Sequence, residues 1–258
     1  MNTHTYETRR PKEKEMIFGI RAVIEAIEAG KTLDKILLRR DMSSAIGKEL
    51  LSKLAQANLQ SAVVKVPVEK LNQYTDKNHQ GVIAFLSPIE FTNLDEVVQS
   101  CFDEGRSPLI MVLDGITDVR NFGAIARTCV CAGADAIVVA ARSGVAINGD
   151  AIKTSAGALH SLPVCKVDNM QNALQYLRDS GLAVVGATEH TDCLYTQMDL
   201  TQPLAIVMGS EGAGIYGPNL EKCSHQVRIP MVGKIESLNV SVAAGIMLYE
   251  AVRQRSIQ

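Results

Sequence analysis

Apolar positions along the chain follow two patterns. In the first third the apolar runs are short and mixed. Val23, Ile24 and Ile27 share one face of a helix expected from Met16 to Gly30, and "DKILLRR" follows as a strand ending in Arg39 and Arg40. A helix over "AIGKELLSKLAQAN", a strand over "SAVVKVP", a short helix over "VEKLNQYT" and a strand over "GVIAFLSP" complete a small α/β unit, residues 16–88. From Leu109 the strands become continuous apolar runs, "LIMVLD", "AIVVAA", "AVVGAT", "LAIVMGS" and "HQVRIPM". Helical segments alternate with them at "FGAIARTCVCAGA", "AIKTSAGAL", "NALQYLRDSG" and the closing "KIESLNVSVAAGIMLYEAVRQRS". That alternation predicts a parallel sheet covered on both faces, residues 109–258, with ligands at the carboxyl ends of its strands. The charged, turn-rich stretch 89–108 is expected to link the two units, and the polar residues 1–15 read as a flexible basic arm.

Composition narrows the function classes. The 258 residues are 47% hydrophobic, ample for a core, and the net charge of −2 offers no global attraction to nucleic acid. The charge is uneven: residues 1–88 carry 14 Lys/Arg against 10 Asp/Glu, and the remainder carries 12 against 18. An RNA partner would therefore be held by a local basic surface, for which Arg9, Arg10, Lys12, Lys14, Arg39 and Arg40 are the candidates, with a plain solvated face as the alternative. Six cysteines without a C-x-x-C pair, and a start unlike a signal peptide, suit a reducing cytoplasm. No apolar run reaches the roughly 18 residues of a membrane span. The histidines show no metal-ligand spacing, and Cys129 and Cys131 read as core packing.

Three polar clusters follow three strands. In "DGITDVRNFGAIARTC", Asn121 and Gly123 stand where a strand gives way to a helix, and Arg127 interrupts the apolar helix that follows. In "AIVMGSEGAGI" an apolar strand runs into Gly209, Ser210, Glu211, Gly212 and Gly214, yet no phosphate-binding lysine follows. In "IPMVGKIESLNVSVAAG" the polar residues Glu236, Ser237 and Asn239 crowd the first turn of an otherwise buried helix. Each cluster alone also fits a local role: a cap at Asn121 with Arg127 snorkelling to solvent or paired to Asp118, a tight turn at the glycines, a cap at Ser237 or Asn239.

Taken together and in order, N-x-G-x-x-x-R, G-S-E-G-x-G and I-P-M…S-L-N-V-S-V-A resemble the three motifs of the SpoU, or TrmH-like, branch of the SPOUT RNA methyltransferases. Upstream, "IFGIRAVIEAI" and "HQGVIAF" resemble the two ends of the small ribosomal-protein-like domain of the RlmB-type subgroup, which methylates a guanosine 2′-hydroxyl in 23S ribosomal RNA. The resemblance implies a substrate-binding domain at 16–88, a methyltransferase domain at 109–258 with a trefoil knot near its end, and a homodimer whose site draws on both subunits. It also implies S-adenosylmethionine held by backbone at Gly209, Ile229 and Leu238, with Ala187 and Thr188 nearby.

The same resemblance places Arg127, Asn121, Glu211, Ser237 and Asn239 in the catalytic region. A guanidinium titrates above about 12 and is a poor base, so Arg127 is expected to clamp the target phosphate and orient the hydroxyl. Asn121, Ser237 and Asn239 would position it and the ribose, and Glu211 would orient donors. Many members carry Asp-Pro before the motif's Asn; this chain has Val119 in the proline position and Arg120 next, a possible phosphate contact. A transfer-RNA target, or a non-catalytic RNA-binding protein on the same fold, are the other readings.

Overall fold

The computed structural model describes residues 16–141, 144, 145, 147–233 and 237–256. The chain divides into two compact units, the smaller ending at Ser87 and the larger beginning at Pro88. The basic-arm candidates Arg9, Arg10, Lys12 and Lys14 lie outside the described residues, as does Glu236.

In the smaller unit, β1 (Met16–Phe18), β2 (Leu33–Arg39), β3 (Val63–Val66) and β4 (Val82–Leu86) form a sheet in the order β1-β4-β2-β3. Helices α1 (Ile20–Glu28) and α2 (Ala45–Gln56) pack on one face, and α3 (Val68–Asn72) sets Leu71 against the other. The helix expected to begin at Met16 starts four residues later. Met16 to Phe18 instead pair antiparallel with β4, and Gly19 turns the chain at φ 91° into α1. Three residues are too few for a period of 2 to stand out from one of 3.6.

The two short sequences at the ends of this unit meet at one corner. Gln80, at φ 53°, turns its side-chain carbonyl to accept the Ile20 N–H at 3.0 Å, and so caps α1, which has no capping side chain of its own. Buried His79 accepts the Gly81 N–H on Nδ1 at 3.0 Å and donates from Nε2 to Asn72 Oδ1 at 2.8 Å, which fixes the neutral tautomer. Burial, and then the Arg39 charge, push the His79 pKa below its ordinary value.

The larger unit is built on six parallel strands, β5 (Leu109–Leu113), β6 (Ala136–Ala140), β7 (Val164–Val167), β8 (Ala183–Ala187), β9 (Leu204–Met208) and β10 (His225–Val227), in the order β10-β8-β9-β5-β6-β7. Alternate residues of β5 feed opposite cores. Leu109, Met111 and Leu113 meet α5 (Val119–Cys131), α6 (Gly149–Thr154) and α9 (Val240–Arg255), while Ile110 and Val112 meet α4 (Leu94–Asp103) and α7 (Met170–Asp179). Strands buried on both faces explain the unbroken apolar runs. The short α8 (Gly217–Leu220) precedes β10.

The stretch expected to be a linker holds α4, whose Leu94, Val97, Val98 and Cys101 are buried against the sheet. Its helical spacing was masked in the sequence by the charges on its outer face. β7 was also missed, because "VCKV" is a four-residue apolar run with a lysine in it. Burial raises the Cys129 thiol pKa to about 12, in keeping with a packing role, whereas Cys131, two residues on around α5, is exposed and does not pack the core as expected. Among the described residues no helix is long and apolar enough to cross a membrane, and no group of three or more His, Cys, Asp or Glu is placed to hold a metal ion.

The His79 corner predicts a pH dependence. With the folded pKa below 6.5, the unfolded chain takes the proton more readily. Stability is therefore whole above about 6.5 and falls as the pH drops from there towards the folded value. Denaturant midpoints measured across pH 5 to 8 should show this slope, and His79→Gln should flatten it.

Candidate functional site

The strand order reverses between β5 and β9: from β5 the chain builds outward through β6 and β7, then crosses to place β8, β9 and β10 on the other side. In an open parallel sheet such a reversal leaves a crevice at the carboxyl ends of the two strands. The first cluster follows β5, the second follows β9, and the third opens α9 above the same core.

Each segment is shaped by local chemistry. Asp118, the residue before α5, accepts the N–H groups of Arg120 at 2.7 Å and Asn121 at 3.0 Å, so it is the cap, and Asn121 is the third residue of the helix. Val119 thus occupies the first helical position, where proline is favoured but not required, and the turn survives without it. After β9, Ser210 and Gly214 exchange backbone hydrogen bonds at 3.0 Å and put Glu211 at the tip of a tight hairpin. Gly209 permits this closure, since a Cβ there would lie 2.1 Å from the Gly214 carbonyl carbon. Gly123 has a similar reason, because a Cβ would fall 2.7 Å from Thr154 Cβ where α5 meets α6.

The three segments converge on one carboxylate. Glu211 Oε1 accepts from Asn121 Nδ2 at 3.0 Å and from Asn239 Nδ2 at 2.8 Å, and Asn239 Nδ2 also reaches Asn121 Oδ1 at 3.0 Å. The other end of the Asn239 amide caps α9, accepting the Ser241 N–H at 2.9 Å and the Ser241 hydroxyl at 2.5 Å. Capping and site-building are therefore two ends of one side chain. The sequence pattern does not single out Ser241, and it offers Asp118 only as a partner for Arg127, not as the cap. Each stands two or three residues from a motif asparagine, a spacing at which a short oxygen-bearing side chain meets helix-start donors.

Arg127 is not part of this cluster. Six residues along α5 carry it about 9 Å from Asn121 and about 120° around the axis. It lies exposed, with no side-chain hydrogen bond or ion pair among the described residues, so the expected pairing with Asp118 is absent. Arg120, seven positions earlier, shares its helical face, about 10.5 Å away along the axis. Ser237 is exposed beside Leu238. In the smaller unit, Arg39 Nε lies 3.0 Å from Asp41 Oδ1, while Arg40 is exposed at the end of β2.

The residues expected to hold a cofactor line up along three neighbouring strands. Gly209 follows β9, Ala187 ends β8 with Thr188 after it, and Ile229 comes two residues after β10. The Thr188 N–H donates to the Val227 carbonyl at 2.9 Å and binds two of these ends together. Leu238, Met231 and Val232 are exposed apolar side chains on the segments leading from β10 to α9. Backbone donors and acceptors with apolar side chains suit a flat base with polar edges, such as the adenine of S-adenosylmethionine. Lys234, Ile235 and Glu236, between β10 and α9 where the knot was expected, lie outside the described residues.

Comparison with known proteins places this arrangement. The model of the SpoU rRNA methylase family matches residues 108–249, and a model described as RNA 2′-O ribose methyltransferase substrate binding matches residues 16–92. A Staphylococcus saprophyticus protein named for the TrmH family of tRNA/rRNA methyltransferases is 38% identical, over 95% of this chain and 97% of its own. The SpoU methyltransferase AviRb from Streptomyces viridochromogenes, solved in complex with the cofactor AdoMet, is 28% identical, with a TM-score of 0.59 over 94% of this chain and 91% of its own. The TrmH/SpoU tRNA modifying enzyme of A. aeolicus is 31% identical, with a TM-score of 0.54, and covers 62% of this chain and 85% of its own.

Loss of the Asn239 side chain removes a helix cap and two site bonds. Asn239→Ala should cost about 1 kcal/mol, lowering the melting midpoint by roughly 2–4 °C. Asn121→Ala should cost less, and the double variant less than the sum, since both amides share one carboxylate oxygen. Calorimetry of the four proteins checks this, and strict additivity would show that the three side chains do not act together.

Proposed function

The chain belongs to the SpoU rRNA methylase family, and from that premise we propose that it transfers a methyl group from S-adenosylmethionine to a ribose 2′-hydroxyl of RNA, the target being a guanosine of 23S ribosomal RNA. The observation that carries the reading is the convergence of Asn121, Glu211 and Asn239 at the reversal of strand order, beside the strand ends that fit the cofactor. A ribosomal target is favoured by the description of the matched family, SpoU rRNA methylase. The site of action is the cytoplasm, where six free thiols stay reduced.

S-adenosylmethionine, when bound, supplies a methyl group on a sulfonium, whose passage to the 2′-oxygen leaves a neutral thioether and releases the hydroxyl proton. The backbone at Gly209, Ile229 and Leu238 holds it, with Ala187 and Thr188 alongside. The chain's own task is then alignment. Glu211 and Asn239, whose own amide is filled by its bonds to Glu211, Asn121 and Ser241, fix Asn121 in one orientation, leaving its second Nδ2 hydrogen to meet the ribose, with Ser237 adjacent. Arg127 clamps the phosphate of the target nucleotide, and Arg120, one residue before its own subunit's Asn121, contacts a phosphate of the RNA at that site. In the smaller unit, Arg39 and Arg40 grip the RNA, together with the basic residues Arg9, Arg10, Lys12 and Lys14 of the arm.

The working form is a homodimer. α9 is apolar on both faces: Val240, Ala244, Met247 and Leu248 are buried, yet Val242 and Tyr249 on the opposite face are each 51% exposed, with Ile246 between them. A helix apolar all round is a helix covered on both sides. In such a dimer Arg127, on the neighbouring α5 and turned away from its own Asn121, would meet the partner's site.

Two experiments test this. Purified protein given labelled S-adenosylmethionine should methylate 23S ribosomal RNA in preference to transfer RNA, and Arg127→Ala should lower turnover about 100-fold or more with cofactor affinity retained. Unchanged turnover removes Arg127 from catalysis, and preferential labelling of transfer RNA reverses the target. Light scattering should return a dimer, and Val242→Asp with Tyr249→Asp should give a folded monomer without turnover.

A further inference from the structure

Tyr216 stands apart from the other aromatic residues of the larger unit. Its side chain is 62% exposed, although its backbone is held at both ends. The Tyr216 N–H donates to Asp114 Oδ2 at 2.8 Å, and its carbonyl accepts from Asn219 at 2.8 Å and Leu220 at 2.9 Å as α8 begins. Ile215 before it is buried in the core, and Pro218 stiffens the chain after it. A large ring is thus presented to solvent on a fixed stem.

Its position gives the ring a use. Tyr216 comes two residues after the hairpin that carries Glu211, and the Asp114 that holds it is the residue directly after β5. Gly115, next along, lies against Ser210, where a Cβ would come within 3.4 Å of the serine Cβ. Ile215 and Leu220, on either side of Tyr216 in sequence, approach Gly186 near the end of β8, while the Tyr216 N–H is held on the β5 side. Arg120, exposed in the first turn of α5 after the same loop, supplies a cation on that side.

We propose that Tyr216 is a stacking platform for an unpaired nucleobase of the substrate RNA, at or next to the nucleotide whose ribose enters the site. The inference rests on the methyltransferase reading for the identity of its ligand. A 2′-hydroxyl can be held against Asn121 only if its nucleotide is splayed from the RNA, and splayed bases are recognised by stacking on aromatic faces with a cation on the adjoining phosphate. A ring already fixed at its backbone loses little freedom when a base covers it. An exposed tyrosine beside Asp114 has no comparable role in the fold, since Ile215 supplies the core contact.

The sequence contains no tryptophan, so Tyr216→Trp installs a single fluorescent reporter at the platform. Its emission should be quenched by a single-stranded RNA of about 12 nucleotides, less by the same sequence as a duplex, and not by S-adenosylmethionine alone. Tyr216→Ala should raise the KM for RNA about tenfold, with the Kd for S-adenosylmethionine unchanged, and Tyr216→Phe should restore the parent value. Quenching by S-adenosylmethionine alone would assign the ring to the cofactor, and emission already buried without RNA would assign it to a partner subunit; either overturns the proposal. So does an unaltered KM in Tyr216→Ala. Absence of methyl transfer by the parent chain would instead sink the functional reading, and RNA quenching of the reporter would still decide the stacking.

Discussion

One carboxylate oxygen organises the larger unit's working end. Glu211 Oε1 draws the amides of Asn121 and Asn239 to itself, and so ties together segments that lie 90 and 28 positions from it in sequence. Single hydrogen bonds at an exposed site contribute little to stability. Their value lies in being shared, since a fully satisfied network permits one arrangement of its members. The strand order allows the meeting, because only at the reversal between β5 and β9 do a helix start, a hairpin tip and the start of the last helix face one another.

Much of this was legible in the sequence. Continuous apolar strands between helices implied the parallel sheet, and polar residues placed just after strands implied the site. What escaped was whatever depends on neighbours remote in sequence. Asn121 looks like a cap until Asp118 takes that role, and Asp118 can be assigned only once the helix start is known. α4 was hidden because its charges face outward and its apolar stripe is short. Arg127 stands in a motif with Asn121, yet helical geometry sends the two side chains apart; proximity in a motif is not proximity in space. The glycine at 209 reads as a turn residue, although its reason is the approach of the Gly214 backbone.

On the proposed reading, recognition is divided along physical lines. Strand ends and apolar side chains fit a cofactor without demanding particular charges, so Gly209, Ala187 and Ile229 can be chemically plain. The polar side chains are concentrated where a ribose must be oriented, and the exposed arginines lie along one face of α5. The smaller unit is fastened by a different device, the neutral His79 and the Gln80 side chain, which lock its first helix to its last strand. The two short sequences that mark this unit are thus one structural corner seen twice.

The last helix is also secured at its far end. The Arg255 guanidinium donates to the carbonyls of Ser107, Pro108, Leu200 and Gln202, around the starts of β5 and β9. Those two strands pair with each other although the whole of β6, β7 and β8 intervenes, so their union closes a long loop whose entropy must be met before any contact repays it. Folding of this unit is therefore slow for its size, and its crevice is among the last features to appear. Until then two strands that are buried at every position in the native fold have unpaired edges, which makes the half-folded chain, more than the native one, the species prone to aggregate.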